Sequence, residues 1–152
     1  MKGSKVNILY NENNVEELRE ALIGRSVASV QLGGELPQVS EYRYLSHIPQ
    51  GKITLDDGAV LVLGGNIGGC SCGSGDYELT RLNDMPINGI MNVEITDEVI
   101  SDDPYSYGQE HIYRIFVLAQ DERFELAAFE GDDGNGYYGT GFWFTVLGRE
   151  GE

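Results

Sequence analysis

The chain has 152 residues, 41% of them hydrophobic, which is enough for one domain with its own core. A formal net charge of −15 surrounds it with a negative field that disfavours DNA, RNA and anionic membranes as partners. Two cysteines, Cys70 and Cys72, make no disulfide framework, and no stretch reaches the roughly 20 apolar residues of a membrane span, so a cytosolic protein is expected.

In chain order, Lys5 to Tyr10 alternates apolar and polar residues and predicts a short strand. A helix is predicted over 13–23: an Asn cap precedes the acidic first turn, Leu18, Ala21 and Leu22 share a face, and Gly24 stops it. From Ser26 the period changes to two, and Val27, Val30 and Leu32 mark a strand that ends at Gly33-Gly34. The section from Glu35 to Gln50 holds Pro37, Pro49, Tyr42, Tyr44 and His47 and reads as an irregular excursion. Lys52 to Leu55 and Ala59 to Leu63 flank Asp56-Asp57-Gly58, a strong hairpin signal. That hairpin runs into a glycine-rich loop, Gly64 to Gly75, followed by Asp76 to Asn83 as a short strand or a helical turn.

The second half repeats this order. Ile90, Val93 and Ile95 mark a strand, and Ser101 to Gly108 is a second excursion. Tyr113 to Ala119 and Arg123 to Phe129 make a hairpin turning at Gln120-Asp121-Glu122, which feeds the glycine-rich stretch starting at Glu130. The fold class is α+β: a mainly antiparallel β-sheet of about eight strands with one N-terminal helix and two glycine-rich loops. It forms a single domain over 1–152, with an internal duplication of the halves 26–75 and 88–147. The competing account is that meandering sheets produce such spacings by chance.

No constellation for catalysis emerges. Cys70-x-Cys72 with His47 and His111 lacks the paired knuckles of a zinc site, so no metal or cofactor is expected. Cys70 has no base nearby in sequence. The pairs Asp56-Asp57, Asp102-Asp103 and Asp132-Asp133 are adjacent residues, which point to opposite faces of a strand and cannot act as an acid and base pair. Gly64 to Gly69 lacks the Lys-Ser/Thr of a P-loop. A non-enzymatic binding protein is expected.

The stretch Glu130 to Val146 carries that expectation. Five glycines lie between Gly131 and Gly141, followed by Phe142-Trp143-Phe144. Glycine lets backbone approach a ligand closely, and aromatic faces stack on bases. Phe124, Tyr137 and Tyr138 are candidates for stacking a base, Asn135 for its edge, and Arg81, Arg123 or Arg149 for phosphate. For Phe124 a plain core position is the alternative, for Arg123 and Arg149 a solvated edge charge, and for Asn135 simple turn chemistry.

Leu22-Ile23-Gly24-Arg25-Ser26-Val27, the Asp-Asp-Gly hairpin of Ile53 to Leu63, Cys70-Ser71 and Asn135-Gly136-Tyr137-Tyr138-Gly139 together resemble small phage and bacterial proteins of one uncharacterised domain family. Within that neighbourhood the chain resembles the phage Thoeris anti-defence family of the first type. The resemblance implies a cyclic ADP-ribose sponge that sequesters the signal without cleaving it, with cyclic trinucleotides as a second ligand class in some members. It also implies a homo-oligomer, a dimer or a trimer of dimers, in the host bacterial cytoplasm, with pockets built partly across subunits. Asn135 falls in the matching motif; Phe124 and Arg149 follow by approximate position. Two segments, Glu35 to Gln50 and Asp97 to His111, look like insertions relative to shorter relatives, and Cys-Ser-Cys stands where some relatives have Cys-Cys-Ser. The alternative function is an acidic mimic of nucleic acid that inhibits a host protein.

Overall fold

A computed structural model describes residues 7–8, 11–37, 48–66, 76–101, 110–132 and 141–148. Among them are one helix, α1 (Asn11–Leu22), and the strands β1 (Asn7–Ile8), β2 (Val27–Leu32), β3 (Gly51–Leu55), β4 (Val60–Gly65), β5 (Asp76–Leu82), β6 (Ile90–Ser101), β7 (Glu110–Ala119), β8 (Glu122–Asp132) and β9 (Phe142–Leu147). Every pairing between them is antiparallel. No helix among the described residues is long and apolar enough to cross a membrane.

Turn chemistry sets both hairpins. Gly58 takes a φ of 88°, its N–H donates to Leu55 O at 3.0 Å, and Asp57 Oδ1 accepts the Ala59 N–H at 3.0 Å. The neighbouring Asp56 Oδ1 accepts the Ser26 N–H at 3.1 Å, and Asp57 Oδ2 accepts from Arg25 Nε at 3.0 Å. The two aspartates thus tie the hairpin tip to the start of β2. The β7–β8 hairpin turns in two residues, Gln120 and Asp121, with φ of 53° and 64°. Positive φ at both central positions matches the twist of the flanking strands, and Glu122 belongs to β8 instead of the turn.

The boundaries of several predicted elements change. Of the predicted first strand, Asn7 and Ile8 form β1 and residues 5–6 and 9–10 lie outside the described residues; the helix begins at Asn11 instead of Asn13 and ends at Leu22. Of the two alternatives for the segment from Asp76, the strand is the one present, over Asp76–Leu82. Residues 97–101 and 110–111, the ends of the segment read as an insertion, extend β6 and β7, and of the predicted excursion Ser101 belongs to β6. Asp97 hid that extension: it breaks the apolar pattern, yet its carboxylate meets His111 across the pair of strands.

The sheets have the orders β1-β9-β4-β3-β2 and β5-β8-β7-β6. Each contains a three-strand meander, β2-β3-β4 or β6-β7-β8, and each meander is extended by a strand from elsewhere. The strand following β4, β5, crosses to pair with β8; the strand following β8, β9, crosses to pair with β4. Inward residues of both sheets share one core, including Ile53, Leu61 and Leu63 from one and Val93, Ile115 and Phe129 from the other. Leu18, Ala21 and Leu22 of α1 are buried in that core, and the helix packs against β6, where Arg19 Nε donates to Asn92 Oδ1 and Val93 O, each at 3.1 Å.

Where β4 meets β5 the two sheets join. Tyr77 N–H donates to Asn66 O at 2.8 Å. Gln50 Oε1 accepts two backbone N–H groups, from Gly65 at 2.9 Å and Leu79 at 2.7 Å. A Cβ on Gly65 would lie 2.6 Å from Glu78 N and closer still to the Tyr77 carbonyl, so the approach requires glycine. Val62 and Trp143, on the opposite face of the five-stranded sheet, are also fully buried and form a second apolar cluster with Leu147.

Candidate functional site

Six strand ends gather at one rim of the sandwich. Gly65 pairs with Phe142, Tyr77 with Gly131, Gly131 with His111, and Glu110 with both Asp132 and Ser101. Asn66 N–H donates to Gly141 O at 3.0 Å. The described residues on either side of 67–75, 102–109 and 133–140 therefore all lie at this rim, and both glycine-rich stretches are anchored there.

The inward side of the rim is aromatic. His111 stacks on Tyr113 with 5.8 Å between centroids and 13° between planes. Tyr113 is 5.4 Å from Tyr77 and 6.4 Å from Phe142, which stacks on Phe129 at 4.5 Å. Gly131 makes this packing possible: a Cβ there would lie 2.7 Å from Tyr77 Cα and 2.8 Å from its ring. Two buried polar residues also lie at the rim, Asn66 at 5% exposure and His111 at 8%. Asp97 Oδ1 lies 2.5 Å from His111 Nδ1. A carboxylate can only accept, so Nδ1 is the donor and the ring orientation is set.

The outward side of the rim is acidic. Asp76, Asp132 and Glu110 are neighbours across β5, β8 and β7, all exposed, and Glu78 faces Glu130 in the next row. Further along this face, ion pairs cross all four strands. Glu98 of β6 pairs with Arg114 of β7, Arg114 Nε with Glu125 Oε2 of β8 at 2.9 Å, and Glu125 Oε1 with Arg81 of β5 at 3.0 Å. Arg123 Nε meets Glu94 Oε1 at 2.9 Å while its guanidinium sits 3.7 Å over the Phe116 ring. Such exposed pairs keep an uncovered sheet face solvated and contribute roughly 0–1 kcal/mol each.

The candidate residues separate accordingly. Arg81 and Arg123 share the outward face, away from the rim, and each is tied to a carboxylate. Phe124, opposite Val117, points the other way and packs against the core. Asn135, Tyr137, Tyr138 and Arg149 lie outside the described residues, as do Cys70, Cys72 and His47. Among the described residues no group of three or more His, Cys, Asp or Glu side chains is placed to hold a metal ion.

Sequence reasoning weighed His111 only as a metal ligand and passed over Asn66 and Asp97. The signal for the last pair was available: a lone carboxylate at an inward position of β6, where alternation calls for an apolar residue, facing a histidine on the next strand.

No curated protein and no solved structure matches the chain. A family model described as a domain of unknown function, DUF7448, matches residues 20–144, from the last three residues of α1 to the middle of β9. The chain belongs to the DUF7448 family.

Proposed function

We propose that this protein is a non-enzymatic sponge that binds and holds a small cyclic nucleotide signal, a cyclic ADP-ribose isomer, at the rim. On this reading it is a phage-encoded protein of the host bacterial cytoplasm that blocks Thoeris immunity, works as a homo-oligomer and takes cyclic trinucleotides as a second ligand class. The observation that carries the proposal is the convergence of both glycine-rich stretches on one rim backed by stacked aromatic rings. Backbone amides of such stretches suit phosphate, and Asn135, Tyr137 and Tyr138 fall within the second. The resemblance in sequence motifs supplies the identity of the ligand.

The like order of the two halves supports the same reading: each has a three-strand meander whose following strand crosses to the other sheet, and both of those connections leave from the rim. The acidic mimic draws its support from Asp76, Glu110 and Asp132 at the rim, whereas Glu94, Glu98 and Glu125 further along the same sheet face are matched with arginines.

Isothermal titration with cyclic ADP-ribose isomers, followed by heating and mass spectrometry of the released molecule, tests the proposal. A sponge returns the ligand unaltered. Absence of binding to every isomer and to cyclic trinucleotides ends this reading, and product accumulating with time identifies a hydrolase instead.

A further inference from the structure

β6 is the longest strand among the described residues and stands at an edge of the four-stranded sheet. Its first part is covered. Gly24 N–H donates to Ile90 O at 2.8 Å, Ile90 N–H donates to Arg25 O at 2.9 Å, and Arg19 Nε donates to Val93 O at 3.1 Å. Asn92 Oδ1 accepts the Val93 N–H at 2.9 Å, so both backbone groups of Val93 point away from β7. The register with β7 runs without a shift from Val93↔Val117 to Val99↔His111. Alternation therefore turns the N–H and carbonyl of Ile95, Asp97 and Val99 to the same open side, over roughly 14 Å of strand. Among the described residues nothing pairs with them there.

An open edge is a template for another strand, and proteins guard such edges with helices or with charges pointed inward. α1 guards the first part of β6. Asp97 is an inward charge on the second part, but its carboxylate is drawn back to His111 on β7. Val99 and Ile100 follow it, 51% and 46% exposed, where a guarded edge would carry lysine. The charge around this edge is one-sided. Glu98 lies on the outward face, held by Arg114, and Glu110 lies beside Ser101 at the end of β6. From Glu110 the acidic row continues through Asp132 to Asp76, and among the described residues neither Glu110 nor Asp76 has an ion pair. A second copy of the chain does not suit such an edge. Pairing it antiparallel over residues 95–99 sets Asp97 opposite Asp97, and each copy brings a net charge of −15. A strand that carries lysine or arginine meets no such repulsion.

We propose that the open part of β6 is a docking site for an extended, basic segment of another protein, which joins the four-stranded sheet as a fifth strand. Its backbone bonds to Ile95, Asp97 and Val99, and its alternate side chains divide between the two faces. Apolar side chains lie beside Ile95 and Val99 on the inward face. Lysine or arginine lies beside Glu98 and reaches toward Glu110 on the outward face. Main-chain bonds supply the affinity, and the carboxylates select the charge of the partner. This docking stands apart from the sponge reading and does not depend on it.

A synthetic peptide of about ten residues that alternates lysine and valine is titrated calorimetrically into the full chain. Two control peptides accompany it. One has glutamate in place of lysine; the other is N-methylated along its whole backbone, which keeps the charge and removes every N–H. The expected result is that the lysine peptide binds, N-methylation weakens it about tenfold or more, and the glutamate peptide does not bind. Hydrogen exchange at the Ile95, Asp97 and Val99 amides slows on binding, while the Glu94 and Thr96 amides, which face β7, do not change. Val99→Pro removes one outward N–H without touching the ladder to β7 and is expected to weaken the lysine peptide several-fold. Absence of binding overturns the proposal. Equal binding of the N-methylated peptide also overturns it, because charge at the acidic rim then suffices. Protection of the three amides without peptide, rising with protein concentration, gives the edge to a second copy and overturns it too. Should Val99→Pro fail to fold, exchange in the wild type decides: unchanged rates at all three amides under saturating peptide overturn the proposal.

Discussion

Gln50→Met is expected to loosen the seam between the two sheets. The substitution keeps the length and much of the volume of the side chain but removes Oε1, which accepts the Gly65 and Leu79 amides at 2.9 and 2.7 Å. Both donors belong to buried residues. A buried N–H left without an acceptor costs about 1–3 kcal/mol, so losing two costs roughly 2–6 kcal/mol. For a domain of this size each kcal/mol lowers Tm by about 2–4 °C, and the fall should be roughly 4–24 °C. The backbone bonds of Gln50, from its N–H to Leu63 O at 3.0 Å and from Gly33 N–H to its O at 2.8 Å, do not depend on the side chain. The loss therefore belongs to the amide oxygen. Urea denaturation of Gln50→Met against wild type measures it, with hydrogen exchange at Gly65 and Leu79 reporting where it acts. A stability change under about 0.5 kcal/mol with unchanged exchange at both amides would refute the clasp.

Gly131→Ala should destabilise by about 1–3 kcal/mol or more, because its Cβ meets backbone of Asp76 and Tyr77 that has no free rotor to yield; thermal melts check it. Replacing Gln120-Asp121 by Asn-Gly should stabilise by about 0.5–1 kcal/mol, since both positions hold positive φ, and a higher urea midpoint at unchanged m-value is the readout. Arg81→Ala and Arg123→Ala should each cost at most about 1 kcal/mol and leave ligand affinity at the wild-type value. A tenfold loss of affinity in either would move the ligand to the outward sheet face.

The parts of the fold that local chemistry dictates were legible: the amphipathic turns of Leu18, Ala21 and Leu22, the Asp-Gly turn, and the two hairpins. Alternation identifies a strand but not its partner, so the crossing of β5 and β9 could not be read. Nor could the destinations of Phe142, Trp143 and Phe144. They looked like one aromatic cluster, but alternation sends Phe142 and Phe144 to the shared core and Trp143 to the second cluster with Val62. At the candidate site, the strands on either side of both glycine-rich stretches meet at the rim, while residues 67–75 and 133–140 of those stretches lie outside the described residues. Asn66 was hidden inside the run Gly64-Gly65-Asn66, where a turn is the ordinary explanation, and only its hydrogen bonds to Tyr77 and Gly141 give it a place.

The exchanged strands also decide when this chain can fold during synthesis. As the ribosome releases β2, β3 and β4, the next strand to emerge departs for a sheet that does not yet exist. The gap beside β4 stays open until Phe142–Leu147 has been made, and β1, near the beginning of the chain, has only β9 to pair with. Such long-range closure is slow and leaves unpaired strand edges exposed in the meantime. A nascent chain halted before β9 therefore holds a complete four-stranded sheet beside an unfinished five-stranded one, and the high negative charge keeps such chains apart while they wait.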